Sequence, residues 1–135
     1  MDVLRERFDV RGVRVGCGNG DCGSCTALVD GVPRKSCLLL AAQAEGRSLE
    51  TLESLAGDGG ELNPVQQAFV ESYAFQCGFC VPGMVMSAMD LLSRNDDPSN
   101  EEVRRAIDGN ICRCTGYQNI VAAVRRAADS RRDDG

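Results

Sequence analysis

Eight cysteines, confined to three short segments, restrict this chain more than any other feature of its sequence. Four lie in VGCGNGDCGSCTALVDGVPRKSC, residues 15–37, two in QCGFCVPG, residues 76–83, and two in NICRCTGYQNI, residues 110–120. The chain has no histidine, no tryptophan and few aromatic residues. Domains of about 60 residues bury a modest fraction of their surface and often need a metal or a disulfide for stability. The cysteines are therefore candidates for that role.

Charge and hydropathy exclude two classes of partner and favour one compartment. The net charge of −5 argues against nucleic acid, which usually requires a basic face. No run of about 18 apolar residues is present, so we expect no membrane span. The N-terminal MDVLRERFDVRG lacks the apolar centre of a signal peptide. We therefore expect a cytoplasmic protein, in which clustered thiols are more typical of metal binding than of disulfides.

Residues 56–64, AGDGGELNP, divide the chain because this glycine-rich, acidic stretch ends on a proline. Before the break, we predict a short helix in DVLRERF and a hairpin that turns at Asp30-Gly31. Pro33 places the return strand of the hairpin at a sheet edge. The segment RSLETLESL predicts a further short strand and a turn.

After the break, the apolar periodicity predicts four helices. They begin near Pro64, Pro82 and Ser99, and the last begins at Asn119 or Gln118. Ser99 and Glu102 form a capping box at the third of them. Arginines and aspartates alternate at the C-terminal end, which is typical of a solvated, frayed terminus. The chain thus reads as α+β, with a small α+β domain at 1–56, a linker at 57–63, a helical domain at 64–128 and a frayed tail at 129–135.

The first cysteine set has the spacing C-x4-C-x2-C, and its fourth member follows after eleven intervening residues. This spacing is typical of a plant-type [2Fe–2S] cluster. The glycines between the thiols let the backbone fold tightly around an inorganic core and turn its amides toward sulfur. Four thiolates also suit tetrahedral zinc, although zinc sites usually pair two short arms. We favour the iron–sulfur cluster, with the ligands Cys17, Cys22, Cys25 and Cys37.

The second cysteine set combines C-x2-C with C-x-C and is less decisive. Its members are Cys77, Cys80, Cys112 and Cys114. Each pair precedes a predicted helix start, where free amides and the helix dipole favour an anionic cluster. Structural zinc remains an alternative, and a redox dithiol is another, although no βαβ pattern surrounds the motif. A second [2Fe–2S] cluster is the more economical interpretation, and two redox centres in one chain predict an electron relay.

Four segments together carry a resemblance to a known family. They are GCGNGDCGSCTALVDG, SCLLLAAQAEG, LNPVQQAFVESYAFQCGFCVPGMVMSA and GNICRCTGYQNIVAAV. These segments resemble the small iron–sulfur subunit of the molybdenum hydroxylases, the family of xanthine dehydrogenase, aldehyde oxidase and carbon monoxide dehydrogenase. The resemblance covers residues 3 to about 126.

The resemblance implies a plant-ferredoxin-like (β-grasp) domain followed by an all-α four-helix-bundle domain, each with one [2Fe–2S] cluster. The first cluster would face FAD on a medium subunit, and the second would lie beside molybdopterin on a large subunit. Gln76 and Cys114 would lie close to the pterin. Substrate would be oxidised on the large subunit, and single electrons would pass through both clusters to FAD or an external acceptor. The chain itself would hold no substrate.

The chain also departs from the family pattern. Relatives usually begin with a β-hairpin ahead of the first helix, whereas Met1 falls where that helix begins. The ferredoxin-like sheet would then lack its first hairpin, and we expect exposed apolar surface and an unpaired strand edge. Val81 stands where the family usually has threonine, which removes a hydroxyl near the second set.

Other interpretations stay open from the residues alone. A stand-alone ferredoxin-like or zinc-stapled interaction module would carry metal without forming part of a larger enzyme. A nonfunctional fragment would lose the first cluster and keep the second. Phe75, Phe79 and Tyr117 could form an interface patch, although core packing is the commoner fate of such residues. The methionines of the second half, Met84, Met86 and Met89, are expected to fill the core.

Overall fold

A small antiparallel sheet forms the centre of the first half. In the computed structural model, which describes residues 1–57 and 59–133, helix α1 (Asp2–Arg7) precedes three strands. These are β1 (Thr26–Val29), β2 (Val32–Lys35) and β3 (Leu49–Glu50). Strand β1 is buried and pairs antiparallel with both others, so β2 and β3 are the sheet edges. Pro33 therefore lies on an edge strand, as predicted.

The hairpin between β1 and β2 follows directly from its turn residues. Asp30 and Gly31 both adopt positive φ, 51° and 75°, which is the backbone twist that two-residue hairpins prefer. Short 3₁₀ turns at Ser36–Leu38, Ala41–Ala44 and Leu52–Leu55 carry the chain around the sheet. The predicted strand and turn in RSLETLESL correspond to β3 and the last of these turns.

The second half contains four longer helices: α2 (Pro64–Glu71), α3 (Val81–Arg94), α4 (Asn100–Ile107) and α5 (Gln118–Asp133). Asn63 caps α2, since its side chain accepts from the Gln66 amide at 2.9 Å. The predicted capping box of Ser99 and Glu102 begins α4. The mixed composition expected from the sequence, a small antiparallel sheet with several helices, is confirmed.

The main core lies between the helices. Helix α2 packs on α5, and α3 and α5 each pack on α4. Phe69, Met84, Met86 and Ile120 are among the fully buried side chains, as predicted for the first two methionines, and Met89 is partly buried against the core. Helix α3 additionally packs against β1 and β2. The two halves therefore share a buried contact through α3, and this contact brings their cysteine loops together.

The expected frayed tail is wrong for residues 129–133, which continue helix α5. Residues 129–133 are exposed, and two of their charged side chains also find partners on the helical half. Arg132 pairs with Asp97 at 2.7 Å, and Arg131 donates to the Leu92 carbonyl at 3.2 Å. These contacts fix the last turns of α5 against the end of α3. Residues 134–135 of the expected tail, and Asp58 of the expected linker, lie outside the described residues.

An apolar groove lies beside the sheet, where exposed apolar surface was expected. Its volume is about 210 Å³, and Val3, Leu4, Phe8, Ala27, Val29, Leu40 and Leu49 are among its lining residues. Phe8 and Leu40 are each 69% exposed. In the part of the chain that the structure describes, no helix combines the length and apolarity needed to cross a bilayer.

Candidate metal centres

The first cysteine set converges at one end of the sheet. Cys17, Cys22 and Cys25 lie on the long loop between α1 and β1, and Cys37 lies in the 3₁₀ turn after β2. Ser36 holds that turn against the loop, since its hydroxyl and its amide both donate to the Cys25 carbonyl, at 2.8 and 3.2 Å. The hairpin therefore returns the fourth cysteine to the other three, as the spacing predicted.

Backbone amides surround the Cys17 sulfur. The Cys22 amide donates to Cys17 Sγ at 3.4 Å, and this contact, with a second from the Asn19 amide, lowers the pKa of Cys17 to about 6. Amides that point at a thiolate stabilise its charged form. Burial, with the neighbouring Cys25 thiol, instead raises the pKa of Cys37. The site thus combines one thiol that ionises readily, Cys17, with one whose ionisation is opposed, Cys37.

The second cysteine set lies where two helix connections meet. Cys77 and Cys80 lie between α2 and α3, and Cys112 and Cys114 lie between α4 and α5. The Sγ atoms of Cys77 and Cys114 are 3.6 Å apart. Cys80 is the N-cap residue of α3, which places the thiol at a helix N-terminus as expected. Burial and the adjacent Cys112 thiol raise the pKa of Cys80 to about 12.

Thr115 and Tyr117, which follow Cys112 in the chain, form hydrogen bonds with its sulfur and its backbone amide. The Thr115 hydroxyl lies 3.1 Å from Cys112 Sγ, and the Thr115 amide donates to that sulfur at 3.5 Å. Burial of Cys112 opposes ionisation, yet these hydrogen bonds outweigh it and lower the pKa of the thiol. The Tyr117 hydroxyl accepts from the Cys112 amide at 2.8 Å. Sequence reasoning placed Tyr117 only in a patch or core and missed Thr115, whose signal was its position one residue after a ligand.

Six of the eight cysteines line one cavity. A cavity of about 220 Å³ is lined by Cys17, Cys22, Cys77, Cys80, Cys112 and Cys114, together with Phe79 and Ile111. Among the described residues, no three cysteines or carboxylates converge closely enough to hold a single metal ion. A structural zinc ion requires four ligands at about 2.3 Å from one point. Four thiolates that ligate two bridged irons span a larger core, and the donor chemistry of each set, four thiols, fits such a [2Fe–2S] cluster.

Hydrogen bonds join the loops of the two sets. The Ile111 amide, next to Cys112, donates to the Cys22 carbonyl at 2.8 Å. Arg14 donates to the Gly78 carbonyl at 2.7 Å, and its guanidinium lies 5.7 Å from the centre of the Phe79 ring. Each set therefore contacts the other through the backbone of its own ligand loop. The spacing of the cysteines gave no indication of these contacts.

The outer side of the second set is exposed and partly apolar. Cys77, Cys114 and Gln76 are exposed, and Phe75, Phe79 and Ile111 are 39%, 44% and 55% exposed. Core packing, the commoner fate of such rings, is therefore wrong for Phe75 and Phe79. Contiguous apolar surface of this kind often marks a site for another protein or a ligand.

A family model described as a [2Fe–2S] binding domain matches residues 51–125. The chain is 52% identical to the nicotine 6-hydroxylase small subunit of Paenarthrobacter nicotinovorans, over 91% of this chain and 73% of that protein. It is 50% identical to the xanthine dehydrogenase iron–sulfur-binding subunit of Escherichia coli O157:H7, over 91% of this chain and 77% of that subunit.

A solved structure extends the similarity to the fold. The crystal structure of quinoline 2-oxidoreductase from Pseudomonas putida 86 superposes with a TM-score of 0.92 at 48% identity. The match covers 98% of this chain and 82% of that one. The similarity therefore includes both cysteine sets and the contact between the two halves.

Proposed function

The chain belongs to the small iron–sulfur subunits of the molybdenum hydroxylase family, and on that premise we propose that it relays single electrons through two [2Fe–2S] clusters. The first site would use Cys17, Cys22, Cys25 and Cys37, and the second would use Cys77, Cys80, Cys112 and Cys114. The observation that carries the proposal is the meeting of two four-thiol sets, with Ile111 and Cys22 hydrogen-bonded between them at 2.8 Å.

Each cluster, when bound, accepts and donates one electron at a time. The chain's own residues prepare the two sites by directing amides and hydroxyls at sulfur. The Cys22 amide supports Cys17, and Thr115 supports Cys112 through its hydroxyl and its amide. Such hydrogen bonds stabilise negative charge on the thiolates and therefore influence the reduction potential of each site.

We further assign the two sites to two domains. Residues 1–56 would belong to a plant-ferredoxin-like unit of β-grasp type, and residues 64–128 would form a four-helix unit, with 57–63 as a linker. The buried packing of α3 on β1 and β2 supports a fixed arrangement of these units. Their separate cysteine loops support one cluster for each unit.

The exposed side of the second set is the proposed contact with a large molybdopterin-binding subunit. Gln76 and Cys114 would lie beside the pterin, and the apolar side chains of Phe79 and Ile111 would be covered by that subunit. The first set would face an FAD-binding medium subunit or an external acceptor. In this arrangement the chain takes part in a cytoplasmic oxidoreductase, whose substrate is held and oxidised on the large subunit.

Capture of the partner subunits tests this assignment. A tagged chain purified from its native host is expected to bring down a larger protein that releases a pterin, and a flavoprotein. Phe79→Ser is expected to weaken that capture because Phe79 is exposed beside the second set. Val70→Ser, at a similarly exposed apolar residue of α2, is the matched control and is expected to have no effect. Purification of the chain as an isolated zinc protein would contradict the proposal.

A further inference from the structure

Asn110 lies buried where the two cysteine loops meet, and its side chain contacts both halves of the chain. Only 3% of the residue is exposed. Its amide group donates to Ser87 Oγ on helix α3 at 2.7 Å. The Thr26 hydroxyl donates its proton to the Gly23 carbonyl at 2.7 Å, and its oxygen lies 3.4 Å from Asn110 Oδ1. One side chain therefore connects the start of β1 with α3.

Gly23 and Gly83 lie against the Asn110 side chain. Gly23 has φ of +74°, and an added Cβ there would overlap the Asn110 Oδ1 atom and the Gly109 carbonyl. An added Cβ at Gly83, in the first turn of α3, would overlap the Gly23 carbonyl and lie 2.8 Å from Asn110 Oδ1. Two backbone segments, at Gly23 and Gly83, thus approach Asn110 as closely as glycine permits.

The backbone around Asn110 is equally constrained. The Asn110 amide donates to the Ile107 carbonyl at 2.9 Å at the end of α4, and the next amide, that of Ile111, donates to Cys22 at 2.8 Å. Lys35 also donates to the Gly109 carbonyl. A buried polar atom that loses its hydrogen-bond partner destabilises the folded state by about 1–3 kcal/mol. Because any rearrangement here would leave such atoms unpaired, the network has few alternative arrangements.

Apart from Ser87, the contacts of Asn110 lie near proposed ligands in the chain. Gly23 follows Cys22, Thr26 follows Cys25, and Gly83 lies one turn after Cys80. Asn110 itself lies two residues before Cys112. A displacement at Asn110 would therefore move loops of both sets relative to each other, and not the ligands of one set alone.

We propose that Asn110 is a positioning residue that fixes the separation of the two cysteine sets, and so the magnetic and electronic coupling between their clusters. This role rests on the proposed function, because it requires both clusters to be present. Asn110 contacts no proposed ligand sulfur among the hydrogen bonds of the described residues, so its effect acts through the loops.

The test is the spin–spin splitting of the two clusters in the fully reduced, full-length protein. This splitting falls steeply as the distance between the clusters increases, and it also changes with their relative orientation. Asn110→Ala is expected to keep the iron and sulfide of both sites but to lose or reduce the splitting, and to slow electron exchange between the sites. Asn95→Ala, which removes a hydrogen bond to Glu102 at the far end of α3, is expected to leave the splitting unchanged.

Ser87→Ala provides a milder second variant, since it removes one partner of Asn110 and leaves Asn110 in place. Ser87→Ala is expected to change the splitting in the same direction. If Asn110→Ala loses iron, the splitting of Ser87→Ala is the one that tests the positioning role. An unchanged splitting in an iron-replete variant, Asn110→Ala or else Ser87→Ala, would overturn the positioning role alone. A wild-type chain without two paramagnetic clusters would overturn the proposed function and this role together.

Discussion

Cys80→Ser is expected to remove the cluster of the second site and to leave that of the first. Iron should fall from about four to about two atoms per chain, because each [2Fe–2S] cluster contains two irons. Cys80 is 7% exposed at the N-terminus of α3, beside Cys112. A neutral serine hydroxyl at this buried position replaces the thiolate that iron requires. Since bound metal contributes directly to folding, the variant should also unfold at a lower temperature than the wild type.

Cys25→Ser is the reciprocal variant. Cys25 is also buried, with 2% of the residue exposed. The Cys25→Ser substitution is expected to remove the first cluster while preserving the second. Iron and acid-labile sulfide analysis gives the count, and electron paramagnetic resonance of the reduced protein identifies the signal that remains. Loss of the same signal in both variants would show that the eight cysteines do not form two separate sites.

Gly23→Ala is expected to destabilise the protein far more than the same change at Gly31. Both glycines have nearly the same backbone conformation, with φ of +74° and +75°. A left-handed conformation costs alanine about 1–2 kcal/mol at either position. Only at Gly23 would the new methyl group overlap Asn110 and the Gly109 carbonyl, and overpacking of this kind adds about 1–3 kcal/mol.

The comparison of the two variants separates backbone strain from crowding. Gly31 has open space around its added Cβ, so Gly31→Ala measures the strain alone. The measurement is the temperature at which the cluster-loaded protein loses its visible absorbance, recorded for both variants and the wild type. Equal shifts for Gly23→Ala and Gly31→Ala would contradict the close junction between the cysteine loops.

The sequence predicted most of the regular structure, because local signals determine it. The Asp30-Gly31 turn indicated the hairpin, and Ser99 with Glu102 indicated the start of α4. Proline and glycine separated the remaining elements well enough to place the helices of the second half. Alternating charges after Arg125 misled the prediction, since Arg131 and Arg132 pair with residues more than thirty positions earlier.

The sequence predicts the members of the two cysteine sets, and they stay a prediction, but it does not predict how the sets are arranged. The short spacings within each motif are local and can be recognised in the sequence. The contact of Ile111 with Cys22 joins residues far apart in the chain, and it depends on how α3 packs against β1. Asn110 resembled an ordinary helix-terminating residue in the sequence, since the Asp-Gly-Asn segment explains the end of α4 by itself. Its burial between Ser87 and Thr26 is a property of the fold alone.

The central claim is that the chain holds two sulfide-bridged iron clusters, each on four thiolates. Its most direct test is the electron paramagnetic resonance spectrum of the anaerobically purified, chemically reduced full-length protein, quantified against its iron and sulfide. The account predicts two distinct signals, each integrating to about one spin per chain, with about four irons and about four sulfides. A protein with zinc and no acid-labile sulfide, or with a single signal at half that iron content, would contradict it.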